Sequence, residues 1–376
     1  MTIKNAMRFT AMIFTLLLFA FGIASSNAAD WTLYRGDAGA TGRVAEAVTL
    51  GDKLKIVWET RLEKGFFDAT PIVVGDSVFV ASSEEGMQAF DLQTGKPKWT
   101  YKTDKRDLAA SAAYFEGLVF VGDVFGTLHA LDAKTGERKW FFETKGTIDN
   151  SPNIDVQTKR VIIGSQAGTL FALEAATGAK VWEYKTDDQI QCFPSISGRH
   201  CFVAGCDSYL HVINLDTGKG VHRIPLDSPT GSTPLVTEDF AFVGTEGNEF
   251  LAIDWKQAKV LWRFEMRQGA RAPAAYREGT VVFGGMNRMV YALDAKTGEE
   301  RWKFNTRGRI EGGAVIVGNK VYIPSSDSTL YVLDLKNGNR IETLELTGRL
   351  VTSPAVAANR IIIATDEGVL TCLQGE

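Results

Sequence analysis

Short apolar runs recur along the chain at a steady spacing. Thr70-Pro71-Ile72-Val73-Val74, Val78-Phe79-Val80-Ala81 and Met87 to Phe90 are divided by Gly75-Asp76 and by Ser83-Glu84-Glu85-Gly86. Each run is rich in β-branched or aromatic residues and bounded by Gly or Asp, which predicts strands between tight turns. A further turn, Asp91-Leu92-Gln93-Thr94-Gly95, leads to a fourth strand around Trp99. The Asp side chain can accept hydrogen bonds from the backbone of the turn it opens, and the Gly can take positive φ there.

This unit then repeats. The acidic turn position falls at Asp91, Asp132, Glu174, Asn214, Asp254, Asp294, Asp334 and Gln374, in steps of 40 to 42 residues. The aromatic position falls at Trp58, Trp99, Trp140, Trp182, His222, Trp262, Trp302 and Glu342. The phrase Ala-Leu-Asp-Ala-Lys-Thr-Gly-x-x-x-Trp is written twice, ending at Trp140 and Trp302. A period of about 40 residues built from short strands predicts an all-β fold, an eight-bladed β-propeller with four-stranded blades. The eighth blade starts near Val351 and reaches Glu376 after three strands. Its fourth is expected from Lys55 to Thr60, so that the N-terminal strand closes the last blade. The six Trp residues are expected to dock between blades, each hiding roughly 150–250 Å². His222 and Glu342 then mark the expected weak contacts.

Composition changes this picture little. The chain has 376 residues, a length that ordinarily suggests two or more domains, but the repeat runs without a linker from Trp58 to the last residues. The expected organisation is a signal peptide over 1–29, an N-terminal arm over 30–54 and the propeller over 55–376. The signal rests on Lys4 and Arg8, an apolar stretch from Ala11 to Phe21, and small residues at Ser26-Asn27-Ala28. The rival reading is an uncleaved anchor; cleavage near Ala28 or Ala29 is the favoured one, which leaves no membrane span and predicts a periplasmic or secreted protein, and no Cys is placed to carry a lipid anchor. A net charge of −4 and the lack of a basic patch interleaved with aromatics exclude a nucleic-acid partner. Cys192, Cys201, Cys206 and Cys372 are the only cysteines. A Cys192–Cys206 bridge across one hairpin is permitted by export, and buried free thiols are the favoured reading.

The repeat Ala-x-Asp-x-x-Thr-Gly-x-x-x-Trp resembles the tryptophan-docking motif of pyrroloquinoline quinone (PQQ) propellers. Trp31-Thr32-Leu33-Tyr34-Arg35-Gly36-Asp37 is similar to the N-terminal arm of exported members. The superfamily contains quinoprotein dehydrogenases and BamB-type outer-membrane assembly factors. Resemblance to the first implies PQQ with calcium in the funnel and alcohol or sugar oxidation. Resemblance to the second implies a non-catalytic scaffold that binds other proteins. The sequence favours the scaffold, acting as a monomer without cofactor or metal. It has no adjacent Cys pair, no Cys-x-x-Cys-His and no room for pocket-building insertions, and Trp31 and Trp255 are the only Trp residues outside the motif. His129, His200, His211 and His222 are expected to be structural.

Any partner site must then lie on the loops, because the motif builds blades. The column three residues before each inner-strand Pro position is expected at the funnel mouth. It contains Asp68, Ala109, Asp149, Gln191, Gly231, Arg271, Glu311 and Val351. Arg267, Arg307, Arg309 and Arg349 lie nearby on the loops of the last three blades. The candidate partner-binding face is therefore Asp68, Asp149, Gln191, Arg267, Arg271, Arg307, Arg309, Glu311 and Arg349, and no catalytic residue is expected.

Overall fold

In the computed structural model, which describes residues 30–44, 48–103, 108 and 110–376, every repeat is a four-stranded antiparallel sheet and eight such sheets form the propeller. The signal-peptide expectation falls on residues 1–29, outside the described residues, as does Ala109. Blade one comprises Ile72–Val74, Ser77–Ser82, Gly86–Asp91 and Pro97–Tyr101 from the inside outward. The two middle strands are almost wholly buried, and the outermost strand alternates between exposed and part-buried positions. This is the pattern of sheets stacked face to face around an axis, with the polar face of the last strand turned to water.

The repeated turn works as its composition requires. Asp91 Oδ1 accepts from the backbone N–H of Gln93 and Thr94 and from the Thr94 hydroxyl, and Gly95 takes φ +69°. In the sixth repeat Arg301 joins the turn amides around Asp294 and holds that carboxyl down at about 2.

The Trp that follows is delivered to the next blade by a β-bulge. Trp99 pairs with Ala89 and Pro97 with Phe90, so Lys98 is the extra residue; the same shift recurs in the later blades. A bulge adds local twist and re-aims the side chain. Trp58, Trp99, Trp140, Trp182, Trp262 and Trp302 each donate Nε1–H to a carbonyl in the turn of the following blade, at 2.8–3.1 Å. Their indoles lie against the turn glycines Gly95, Gly136, Gly178, Gly218, Gly298 and Gly338, where a Cβ would sit 2.6–2.7 Å from ring carbons. Glycine is therefore required twice over, by positive φ and by contact.

The two places without a Trp are filled differently. Opposite His222 the turn carries Ala258, not Gly, at φ +54°. The Trp255 ring takes the indole's place from the other side, 5.1 Å from Phe202 and 5.0 Å from His200, with Nε1 donating to the Thr237 carbonyl. In blade two the matching Phe120 touches the docking Trp of its own blade, Trp140. At the other place Glu342 accepts the Leu54 backbone N–H with both carboxylate oxygens, at 3.0 and 3.2 Å. Lys320 adds bonds to the carbonyls of Leu50 and Gly51 and an ion pair with Asp52. We therefore expect H222W, which restores the motif, to lower stability by about 1–3 kcal/mol through overpacking against Trp255 and Ala258. The triple variant H222W/W255L/A258G should recover most of that loss. Urea unfolding midpoints of the two variants check this.

The ring closes as the repeat requires. Leu54–Arg61 pairs antiparallel with Val369–Gly375, Trp58 facing Cys372, and completes the sheet of Ala355–Ala357 and Arg360–Ala364. The N-terminal arm is part of the same closure. Trp31 exchanges two backbone hydrogen bonds with Val73, and Thr32 accepts from Tyr114 N. Ala38 accepts from the Asn153 side chain and from Ile196 N, Gly39 from Val236 N, Thr41 from Tyr276 N, and Gly42 from Ile316 N. Residues 31–42 thus visit the innermost strands of blades one to seven in order. Arg35, fully buried, donates to the carbonyls of Ala274 and Ala314, and burial lowers its pKa to about 10.

All four cysteines are free. Cys192 does not face Cys206: its sulfur accepts the Ala204 backbone N–H at 3.2 Å, and burial pushes its thiol up to about 12. Cys201 and Cys372 are also buried, whereas Cys206 is only partly so.

Candidate functional site on the loop face

Two sets of connections share one face of the ring: the hairpins between the second and third strands, and the loops that carry the chain into each new blade. Hydrogen bonds tie these connections together. In blade six, Met286 N donates to Gly269 O in the loop before, and Ile310 N to Gly285 O in the hairpin behind. Just below, hydroxyls link the inner strands around the channel. Ser111 accepts from Thr70 N, Thr233 from Phe193 N, Ser353 from Gly313 N and Thr70 from Ser353 N. The visible signal for this belt is the Ser or Thr that precedes the inner-strand Pro position.

The sequence-predicted residues separate into three groups. Asp68, Glu311 and Arg349 meet at the funnel mouth together with Asp366. Loss of hydration raises the Asp68 carboxyl above its usual range; Asp366 and Glu311 push the same way, and Arg349 opposes. Arg349 itself pairs with Asp366 at 2.6 Å. Asp149 and Gln191 stand on the blade-three and blade-four side. Asp149 accepts from Gln166 through one oxygen, its other oxygen is buried without a donor, and burial raises its pKa. Gln191 donates to the Gln189 side chain at 3.0 Å.

The arginines are divided by their partners. Arg271 reaches Glu246 at 3.3 Å, and Arg307 reaches Glu345 at 3.1 Å and Asp327 at 3.6 Å. Arg267 and Arg309 instead meet in one cleft of about 300 Å³, together with Arg288, Gln268, Met286 and Asn287. Sequence reasoning passed over Arg288, because a lone Arg at a hairpin tip carries no signal until its neighbours are known.

On the other side of the ring a larger cleft, about 570 Å³, lies between blades one and two. Phe125 and Phe141 line it at 50% and 51% exposure. Phe66, 40% exposed, stands in the loop entering blade one. The same cleft contains His129, whose Nε2 lies 2.9 Å from Asp123 and whose Nδ1 lies 3.2 Å from the Tyr101 hydroxyl. A twin exists two junctions further round with its partners at 2.7 and 3.0 Å: Asp207, His211 and Tyr184. Burial depresses the His211 pKa against the opposing pull of Asp207. In both sets the Tyr comes from one blade and the His from the next, so each triad clasps two blades.

At the funnel mouth the carboxylates of Asp68, Glu311 and Asp366 lie within electrostatic reach of one another and of Arg349. Among the described residues no group of three or more His, Cys, Asp or Glu side chains could hold a metal ion. No helix among the described residues is long and apolar enough to cross a membrane.

A family model described as outer membrane protein assembly factor BamB matches residues 36–113, 103–193 and 189–373. The fold is shared with BamB from Moraxella catarrhalis at 22% identity and a TM-score of 0.74, covering 86% of this chain and 98% of that one. It is also shared with the quinohemoprotein alcohol dehydrogenase from Comamonas testosteroni, at 15% identity and a TM-score of 0.79, covering 93% and 81%. A europium-containing methanol dehydrogenase aligns at 13% identity and a TM-score of 0.80, covering 92% and 98%. No curated protein matches by sequence.

Proposed function

The chain belongs to the family described as outer membrane protein assembly factor BamB, and from that membership we propose that it is an exported, non-catalytic propeller that holds a protein partner on its loop face during outer-membrane protein assembly. One observation carries this reading: half-exposed Phe125 and Phe141 flank one cleft at the junction of blades one and two. Exposed aromatic side chains clustered at a cleft are enriched where proteins dock. The mixed charges of the same face suit steering and register. The protein acts as a monomer in the periplasm, its leader removed. Asp68, Asp149, Gln191, Arg267, Arg271, Arg307, Arg309, Glu311 and Arg349 make up the polar part of the surface.

Site-specific photo-crosslinking tests it. A crosslinker at Phe125 or Phe141 should capture an outer-membrane assembly protein in cell envelopes. The same group at Lys296, in a turn on the opposite face, should not. Equal capture from both faces would count against the proposal. Saturable binding of PQQ with calcium by the purified protein would favour a dehydrogenase instead.

A further inference from the structure

The cleft of blade six differs from the rest of the loop face in its charge balance. Arg267, Arg288 and Arg309 converge on about 300 Å³, and among the described residues none of them forms an ion pair. Three other arginines on this face are neutralised: Arg271 by Glu246, Arg307 by Glu345 and Asp327, Arg349 by Asp366. Three uncompensated guanidinium groups repel one another, and an anion that enters the cleft relieves this.

The backbone supplies a second, independent observation. Arg288 has φ +66°. The equivalent hairpin position is left-handed in every blade; it is Gly in four of them, and Ser208, Asn248 and Ser328 in three others. Only blade six places a long side chain there. A left-handed non-Gly residue is strained, and such strain collects at functional positions. The hairpin is held in this geometry by Thr306, whose backbone N–H and hydroxyl both donate to the Arg288 carbonyl, at 2.9 and 2.8 Å.

We propose that this cleft is a receptor for an acidic peptide segment, whose neighbouring carboxylates are read by Arg267, Arg288 and Arg309. The inference deepens the scaffold reading and rests on it. Guanidinium forks match carboxylates in bidentate geometry. Gln268 and Asn287, also in the lining, offer amide groups suited to a peptide backbone. A flat anionic membrane is disfavoured, because exposed Glu84, Glu246 and Glu367 stand on hairpins of the same face. A narrow segment passes between them.

The test uses the full protein and a fluorescent peptide with a central run of glutamates. Its glutamine counterpart, phosphatidylglycerol vesicles and inorganic phosphate serve as comparison ligands. Saturable, salt-sensitive binding of the glutamate peptide is expected, weakened by about tenfold or more in R267Q/R288G/R309Q. K296Q/K336Q, on the opposite face, should leave it within about twofold. R288G alone should keep or raise the thermal midpoint while weakening the peptide, which separates lost binding from lost folding. No binding, binding indifferent to the triple substitution, or a preference for vesicles or phosphate through the same arginines would overturn the proposal. Failure of the glutamate peptide to bind while crosslinking from Phe125 persists leaves the scaffold reading standing while the cleft assignment falls.

Discussion

Removing residues 30–62 is expected to abolish the native ring, with the loss of cooperative thermal unfolding and of the β-sheet circular dichroism signal. The segment deletes more than one edge strand. Leu54–Arg61 is the outermost strand of blade eight, and without it Val369–Gly375 becomes an open edge beside blade one. Trp58 also disappears, and with it the indole on Gly95 and the hydrogen bond to Leu92 O that join blade eight to blade one. Residues 31–42 remove further main-chain hydrogen bonds, to Val73, Tyr114, Ile196, Val236, Tyr276 and Ile316. Trp31, Leu33, Ala40, Val44, Val48, Leu50 and Leu54 are all buried, so their loss uncovers the inner strands as well. A ring of repeats depends on nearest-neighbour interfaces, and opening one of them exposes two unsatisfied faces. A shorter deletion that spares the strand, residues 30–44, separates the two contributions. It should leave a folded protein with a lower melting temperature. A cooperative transition at the native temperature in the longer deletion would show that neither the strand nor the N-terminal arm closes the ring.

The N-terminal arm also marks the limit of what the sequence reveals. The blade count, the closing strand and the docking Trp residues were legible because each rests on a side-chain pattern repeated every 40 residues or so. The circuit of residues 31–42 was not, because its bonds run mostly between main-chain groups, which any residue carries. The exchange at blade five was half legible. His222 could be seen as a missing Trp, but Ala258 and Trp255 acquire meaning only once each Trp is known to dock forward onto the next turn. On the loop face the column of Asp68, Asp149, Gln191, Arg271 and Glu311 could be picked out from spacing alone. Which arginines are neutralised could not, since Arg271, Arg307 and Arg349 find their carboxylates 17 to 38 residues away in sequence. Arg288 was hidden for another reason: its significance is a backbone angle.

Trp302→Ala should give the largest loss of stability among single substitutions at the blade junctions. Trp302 is 7% exposed and packs in one cluster with Val290, Ala292, Val321 and Leu333. Truncating a buried Trp costs about 3–5 kcal/mol through lost transfer energy and the cavity left behind. The Leu335 carbonyl, which accepts from Nε1 at 2.8 Å, loses its partner as well. The turn on the other side of the contact should respond in kind. Gly338→Ala puts a Cβ 2.7 Å from the indole and forces φ +71° on a residue with a side chain, for about 1–3 kcal/mol. The two changes share one contact, so they should not add. Once the indole is gone, the Cβ at 338 meets no ring, and only the backbone strain is left. The double variant W302A/G338A should therefore be more stable than the sum of the single losses by about 1–2 kcal/mol, a coupling of the size found for residues in contact. Urea denaturation of the four proteins measures this. Strict additivity would mean that Trp302 is held by its own blade and not by the turn of the next, and the repeat would then no longer explain how the blades are joined.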